Sequence, residues 1–342
     1  MSRTIEKYSP EKKSAYKAYI ENHADSMFFH SSAYIDLLVD LLECEIEHIL
    51  CFENDEIVGV FPLLSKTGQL GKVYNSLPYY GSNGSVLSND KEIGLQLVKA
   101  YNELISDESV ASSSCVENPM SENNYEEEIK HNETDFRIGQ YTNLEYTEDH
   151  QEKLMSSFHY KTRNMVRKGM KSEIEIKVDN NAIDFLMNTH IANMEAIGGK
   201  PKPKKFFDLI QKHFVAGEDY KILVAYHENE PVGALLLFYY RTTVEYYSPV
   251  IIEKHRSKQP LSLLIYEAMV EASQNNFTMW NWGGTWASQD GVYNFKKRWG
   301  TNENNYKYFI QINNKEIYNS TKENLLAFYP DFFVLPFNLL NE

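Results

Sequence analysis

All four tryptophans of this chain lie between Trp280 and Gly300, a stretch that also holds Gly283-Gly284, a lone Asp290 and the consecutive cations Lys296, Lys297 and Arg298. Tryptophan is costly to leave in water, and adjacent glycines let backbone approach a ligand closely. Cations beside aromatic rings suit an anionic or carbonyl-bearing substrate. The residues Trp282, Gly283, Gly284, Thr285 and Tyr293 are therefore expected at a binding site, the competing reading being an aromatic packing segment.

Two basic elements could hold phosphate. Arg163, Arg167 and Lys171 recur at i, i+4 and i+8, which makes one stripe on a helix, and Lys161 and Lys168 add to it. Lys200, Lys202 and Lys204 lie in a proline-stiffened loop. The alternative for both is a solvated charged face. A third basic run, Lys254-His-Arg-Ser-Lys-Gln259, leads into Pro260 and an apolar helical pattern from Leu261 to Ser273. A helix N-terminus fed by such a loop favours an anion, so Arg256, Ser257, Lys258 and Gln259 are the candidate cofactor grip. The ten histidines show no i, i+4 pairing or cysteine spacing, and no metal site is expected.

The elements that position these residues come from a repeat. Phe52–Leu64 aligns without a gap to Tyr226–Phe238, with Glu56, Val58 and Gly59 matching Glu230, Val232 and Gly233 at an offset of 174 (230 minus 56). Each copy is an apolar stretch, a polar turn and a second apolar stretch, the pattern of a hairpin. Each is expected to lead to a strand with a tyrosine pair, Tyr79-Tyr80 and Tyr246-Tyr247. Helices are expected before both hairpins: Ala33–Leu42 capped by Ser31 or Ser32, and two helices between about Ala182 and His213 broken at Gly198–Pro203. A strand over Phe277–Trp282 would deliver the tryptophan segment. A period near half the chain length implies two similar α/β domains.

The formal net charge of −14, from 48 acidic and 34 basic residues, disfavours nucleic acid and anionic membrane surfaces as general partners. The longest apolar run, Val232–Tyr240, is far below the roughly 18–20 residues of a membrane span. Cys44, Cys51 and Cys115 fit no metal or disulfide framework, and the N-terminus carries no apolar leader, so a cytoplasmic protein with reduced thiols is expected.

Strand, hairpin, strand, basic loop, helix, strand is the order of the acyl-CoA N-acyltransferase (GNAT) fold. With Asn281-Trp-Gly-Gly284, Tyr293-Asn-Phe-Lys-Lys-Arg-Trp-Gly300, Ser76-Leu-Pro78 followed by Gly81, and the basic His159–Lys168 segment, most of the chain resembles the FemAB/FemX-like family of tandem GNAT-fold acyltransferases. The resemblance implies two tandem α/β (α+β) domains with mixed, mostly antiparallel sheets flanked by helices. Their expected bounds are 1–150 and 151–315, with 316–342 packing back onto the first domain. It also implies an N-acyltransferase with its acceptor in an inter-domain cleft, and it puts Lys296 at the reaction centre.

N-acylation of an amine needs a proton acceptor and a group that stabilises the oxyanion. Asp290 is the first candidate base, followed by Glu195 and His190. Tyr247, or its neighbour Tyr246, could protonate the leaving thiolate; in a regular strand the two point to opposite faces. Tyr79, Tyr80, Tyr246, Arg163, Arg167 and Lys202 are the remaining candidates for substrate contact. The expected function is acetyl transfer from acetyl-CoA to a UDP-linked amino sugar for surface polysaccharide. Two departures bear on it: Gln259 and Leu261 stand where simple GNAT loops carry glycine, and no long charged helical hairpin of the tRNA-using branch is present. Aminoacyl-tRNA-dependent transfer and a non-catalytic envelope-assembly role are the alternatives.

Overall fold

The computed structural model describes residues 3–79 and 84–341. Strands are β1 (Arg3–Lys7), β2 (Glu45–Ile46), β3 (Ile49–Glu53), β4 (Glu56–Phe61), β5 (Leu64–Gly68), β6 (Gly71–Asn75), β7 (Val110–Val116), β8 (Glu133–Asn143), β9 (Glu175–Val178), β10 (Tyr220–His227), β11 (Glu230–Tyr240), β12 (Thr243–Ile251), β13 (Met279–Thr285) and β14 (Asn302–Ile312). Helices are α1 (Lys13–Asn22), α2 (Ser32–Leu42), α3 (Lys91–Leu104), α4 (His150–Ser157), α5 (Tyr160–Met170), α6 (Ile183–Ala196), α7 (Lys204–His213), α8 (Pro260–Gln274), α9 (Asp290–Lys297) and α10 (Lys322–Phe328). The chain forms two compact units. The first takes residues up to Arg137 and again from Asn305; the second is Ile138–Asn304. The divisions thus fall inside β8 and β14, earlier than the expected 150 and 315, because each strand runs on past the end of one unit into the other.

Both repeat hairpins form, and they match in detail. The turns are Asn54-Asp55 and Glu228-Asn229, all four residues with positive φ of 51 to 64°. That is the turn whose twist fits a two-residue hairpin. A bulge precedes each, between Cys51 and Phe52 and between Ala225 and Tyr226. The shared glycine has a packing reason. A Cβ on Gly59 would sit 2.6 Å from Ile93 and 2.9 Å from Leu97, so its absence lets α3 lie on β4. Gly233 does the same more loosely for α8, with Leu264 at 3.7 Å.

In the first unit, β1-β3-β4 is an antiparallel sheet, and β2-β5-β6-β7-β14 is a second sheet in which only β6 and β7 run parallel. Of the expected tyrosine-pair strand, the described residue Tyr79 is not in a strand. An extra hairpin, β5–β6, follows β4, and Tyr79 lies beyond it in a loop at φ 59°, after Pro78. Tyr80 and Gly81 lie outside the described residues. Ser31 caps α2 by accepting from the Tyr34 N–H. The segment after α10 packs on this unit's own sheet: Ser112 Oγ donates to the Val334 carbonyl, and the Tyr329 hydroxyl donates to the Gly71 carbonyl.

In the second unit, the sheet order is β8-β13-β12-β11-β10-β9, again with one parallel pair, β12/β13. α8 is apolar on nearly every side rather than on one face, and residues as far apart in angle as Leu263, Ile265, Met269 and Ala272 are all buried. Such a helix belongs inside a core. It packs with Leu154, Phe158, Val166 and the tryptophans Trp280, Trp282 and Trp299. α6 and α7 form as expected on either side of the Gly198–Pro203 break. Asp290–Lys297 is a helix; Asn294 secures its first turn by donating to the Asp290 carbonyl.

Two buried histidines make the first unit acid-sensitive. Burial holds His30 and His48 far below the ordinary imidazole range, to about 3 in each. Below pH 6.5 the unfolded chain binds protons that the folded chain refuses, so stability falls as pH drops from about 6.5 towards 3. The slope is at most about 1.4 kcal/mol per pH unit per histidine. Urea midpoints measured from pH 7.5 to 5 should fall in the native chain and fall less in a His30→Gln, His48→Gln variant.

Candidate active site

The second unit's parallel strands stay together only briefly. β12 and β13 pair at Thr243/Met279, Val244/Trp280 and Glu245/Asn281, and no further. Beyond that point they part. On β12 the register with β11 shifts between Leu236 and Leu237, so Tyr247 is carried as an extra residue. On β13 the register with β8 shifts between Asn281 and Gly284. Gly283, at φ 71°, takes the left-handed backbone that this shift requires and that glycine alone adopts without strain. The Asn281 side chain fills the break by accepting from the Gly283 N–H at 2.8 Å.

The freed glycine carbonyls are taken by Lys296. Its Nζ donates to Thr285 Oγ1 at 2.8 Å, to Gly284 O at 3.2 Å and to Gly283 O at 3.3 Å. Among the described residues no carboxylate pairs with it. Burial lowers its pKa to about 8. The residue is delivered by α9, whose Phe295 packs on Trp282 and Trp299. The tryptophans are therefore core and wall. Trp282 donates its indole N–H to Thr142 Oγ1 at 2.9 Å, and Trp280 and Trp299 are fully buried.

Tyr246 and Tyr247 point to opposite faces of β12. Tyr246 lies between Trp280 and Trp282 on the α8 side, and burial raises its pKa. Tyr247 stacks on Phe206 of α7, with ring centroids 5.6 Å apart. Lys202 sits over the Tyr247 ring at 5.2 Å, its pKa lowered by burial to about 8, and its backbone N–H donates to His190 Nε2 at 3.0 Å. His190 is held down to about 4 by burial, with the Lys202 charge adding.

Other expected residues are placed elsewhere. Asp290 is exposed at the first residue of α9, where a carboxylate complements the helix dipole. Glu195 is exposed near the C-terminus of α6. Tyr293 is engaged on the surface between Glu303 and Lys297. Tyr79 lies in the first unit, where its carbonyl accepts from the Tyr34 hydroxyl. Arg163 donates to the Phe158 and Ser156 carbonyls at the end of α4, while Arg167 and Lys171 stay exposed.

The expected phosphate loop is not an open nest. Arg256 pairs with Glu253 at 2.8 Å, Lys258 contacts His227 Nε2 at 2.6 Å, and Gln259 accepts from Ser262; Ser257 is exposed. Pro260 offers no N–H, and α5 packs onto this turn: a Cβ on Gly169 would lie 2.9 Å from Leu263 and 3.0 Å from the Gln259 carbonyl. What remains beside the turn is cationic side chains on α5 and on residues 254–258.

Two residues at the parting of the strands were not anticipated. Glu245 and Asn281 are buried, and Asn281 Nδ2 donates to Glu245 Oε2 at 2.8 Å. The available signal was a lone carboxylate inside the apolar strand Val244-Glu-Tyr-Tyr247. A separate cavity of 620 Å³ opens in the first unit near Asp107 and Asn313 and holds none of the expected residues. No group of metal-binding side chains occurs among the described residues.

Among the described residues, the first unit has no such opening. There β6 and β7 pair as far as Asn75/Ser114, and the next residue keeps them together: the Ser76 N–H donates to the Ser114 carbonyl and Ser76 Oγ accepts from the Val116 N–H.

Residues 156–297 match the acetyltransferase (GNAT) domain family. No curated protein matches the sequence. Among solved structures, FemX superposes with a TM-score of 0.70 at 14% identity, over 93% of this chain and 99% of that one. The C-terminal domain of a putative lysylphosphatidylglycerol synthetase from Agrobacterium fabrum gives 0.57 at 11% identity, over 93% and 94%. A tandem GNAT protein from the clavulanic acid biosynthesis pathway gives 0.54 at 8% identity, over 91% and 98%. At these identities the likeness is one of fold. Residues 156–297 thus match a GNAT acetyltransferase domain, which is the unit whose strands part, and the chain shares the fold of FemX.

A buried ammonium held only by neutral acceptors contributes little to stability, because its desolvation offsets its hydrogen bonds. Lys296→Met removes the desolvated charge but leaves the Gly283 and Gly284 carbonyls without this donor, so its net cost in unfolding free energy should stay below about 3 kcal/mol. Circular dichroism melts check this; a loss of about 3 kcal/mol or more would make Lys296 a structural residue.

Proposed function

We propose that the chain transfers an acyl group to an amine, with the opening between β12 and β13 receiving the acyl end of the donor. The observation that carries this reading is the Lys296 ammonium, desolvated and unpaired with any described carboxylate, on the glycine carbonyls where the strands part. Its charge lies where negative charge would build up on an acyl oxygen, in surroundings of low polarity that strengthen the interaction. The amine enters unprotonated, its nitrogen attacks the acyl carbon, and its proton passes to water. Tyr247 and Lys202, on the α6/α7 side of β12, line the acceptor's approach, and Lys202 meets an anionic group on the acceptor.

In this reading the donor is acetyl-CoA and the acceptor is the amine of a UDP-linked amino sugar for surface polysaccharide. Support for a phosphate-bearing donor comes from Arg167 and Lys171 on α5 together with Arg256 and Lys258. These are exposed or surface cations that would grip phosphate by side chains instead of backbone N–H groups. A second reading, aminoacyl-tRNA as donor, is favoured by one observation. The exposed cations of α5 extend over two turns, which suits a run of backbone phosphates better than one pyrophosphate.

Thiol release should be measured with acetyl-CoA and a panel of UDP-amino sugars, and turnover with at least one sugar is expected. Absence of thiol release with every acyl-CoA, together with salt-dependent binding of tRNA, would move the assignment to the second reading. Inactivity with both donors would leave a binding protein. The pH profile follows from Lys296: its charge is present below pH 8 and lost above it. Turnover should accordingly decline as pH rises through about 8, and Lys296→Met should lower kcat on the order of a hundredfold at pH 7.

A further inference from the structure

Glu245 is the last residue of β12 to face β13 before the strands part. Its side chain is almost completely buried, at 3% exposure. One carboxyl oxygen, Oε2, accepts from Asn281 Nδ2; the other, Oε1, is buried and makes no hydrogen bond among the described residues. Asn281 cannot turn its own oxygen towards Glu245, because that oxygen holds the Gly283 N–H. Tyr141 of β8 is the titratable neighbour, and among the described residues no cation acts on the Glu245 charge. Burial pushes its pKa up to about 8, against the lowering effect of Asn281. In its neutral form, which burial favours, the carboxyl carries its proton on Oε1, since Oε2 is the acceptor of the Asn281 N–H.

The first unit shows what this position can hold. Asn75 is likewise the last paired residue of its parallel pair, β6/β7. Its carboxamide Nδ2 donates to the Phe333 carbonyl at 2.7 Å, and its Oδ1 accepts from the Phe333 N–H at 2.8 Å. A neutral carboxyl has the planar shape of a carboxamide and likewise offers one oxygen and one donor. In the first unit the chain supplies the carbonyl that receives the donor. In the second, Glu245 Oε1 meets no partner among the described residues.

We propose that Glu245 works as a neutral acid, its Oε1 hydroxyl donating to the carbonyl oxygen of the bound acyl group and more strongly to the oxyanion formed from it. The inference rests on the acyl-transfer reading of the β12/β13 opening. The amine nitrogen forms the new C–N bond as the carbonyl π pair moves onto oxygen, where Glu245 holds it. The pair returns, the bond from carbon to the carrier's sulfur (or ester oxygen) breaks, and the leaving atom takes a proton from water, matching the one lost by nitrogen. Glu245 keeps its own proton throughout. The three Lys296 N–H groups are already taken by Gly283, Gly284 and Thr285, so Lys296 supplies charge and Glu245 the hydrogen bond.

Glutamine keeps a donor at this position and leucine does not. Glu245→Gln should retain kcat within about threefold, while Glu245→Leu, with KM little changed, should lose about a hundredfold or more. Both variants need native circular dichroism spectra for the comparison. Equal loss in the two would make Glu245 a base and overturn the proposal; unchanged kcat in both would make it structural and overturn it as well. A readout without turnover is the infrared difference between native chain and Glu245→Gln at pH 7. A protonated-carboxyl band is expected, and a carboxylate band in its place sinks this inference alone. Failure of the native chain to turn over any donor would instead sink the reading on which it rests.

Discussion

The second unit is organised around the end of one short parallel pairing. Neighbouring strands satisfy each other's backbone groups, and where they part each freed N–H and C=O needs another answer. Here the answers are local and polar. Asn281 turns its oxygen onto the Gly283 N–H, and Lys296 caps the Gly283 and Gly284 carbonyls from α9. Glu245 is fixed through one oxygen only. The aromatic core beneath, from Tyr246 through Trp282 to Phe295, is what holds α9 close enough for Lys296 to reach.

The electrostatics of this place differ from those of the surface. The chain is strongly acidic overall, yet Lys296 and Glu245 lie buried a few residues from each other's strands without forming a described ion pair. Their shifts run in opposite senses, the lysine down and the glutamate up, both to about 8 and both chiefly through burial. Burial without an opposite charge weakens the ionised form of each. Two buried ionisable groups without an opposite charge are poor as a stabilising device, and groups with such shifted pKa values are more often found at sites of chemistry.

Much of this was legible in the sequence, for identifiable reasons. The Glu-x-Val-Gly repeat gave both hairpins, because a two-residue turn and a helix-admitting glycine leave a compact local signature. Pro260, the Gly198–Pro203 break and Ser31 marked helix ends through their backbone chemistry. The aromatic cluster draws attention to the segment that holds Lys296, and the family resemblance puts that lysine at the reaction centre. Asp290 and Glu195 were chosen as acids by segment and by type, and type does not reveal exposure. Glu245 was passed over because its significance depends on where two strands separate, which is a property of pairing and not of local pattern. The loop before α8 shows the same limit: Arg256 and Lys258 carry charge that suits phosphate, but their engagement by Glu253 and His227, and the approach of α5, are tertiary facts.

The order of the units along the chain has a consequence for how the protein is made. The first unit resumes at Asn305, and its sheet includes the later part of β14 and the anchoring of Phe333 on Asn75. On the ribosome, its first 137 residues emerge long before the segment that completes them. The second unit, continuous in sequence, has all its parts while the first still lacks a strand. Synthesis from the N-terminus thus reverses the usual sequence of domain completion. The later domain closes first, and the earlier one waits with β7 unpaired on the side that β14 will take.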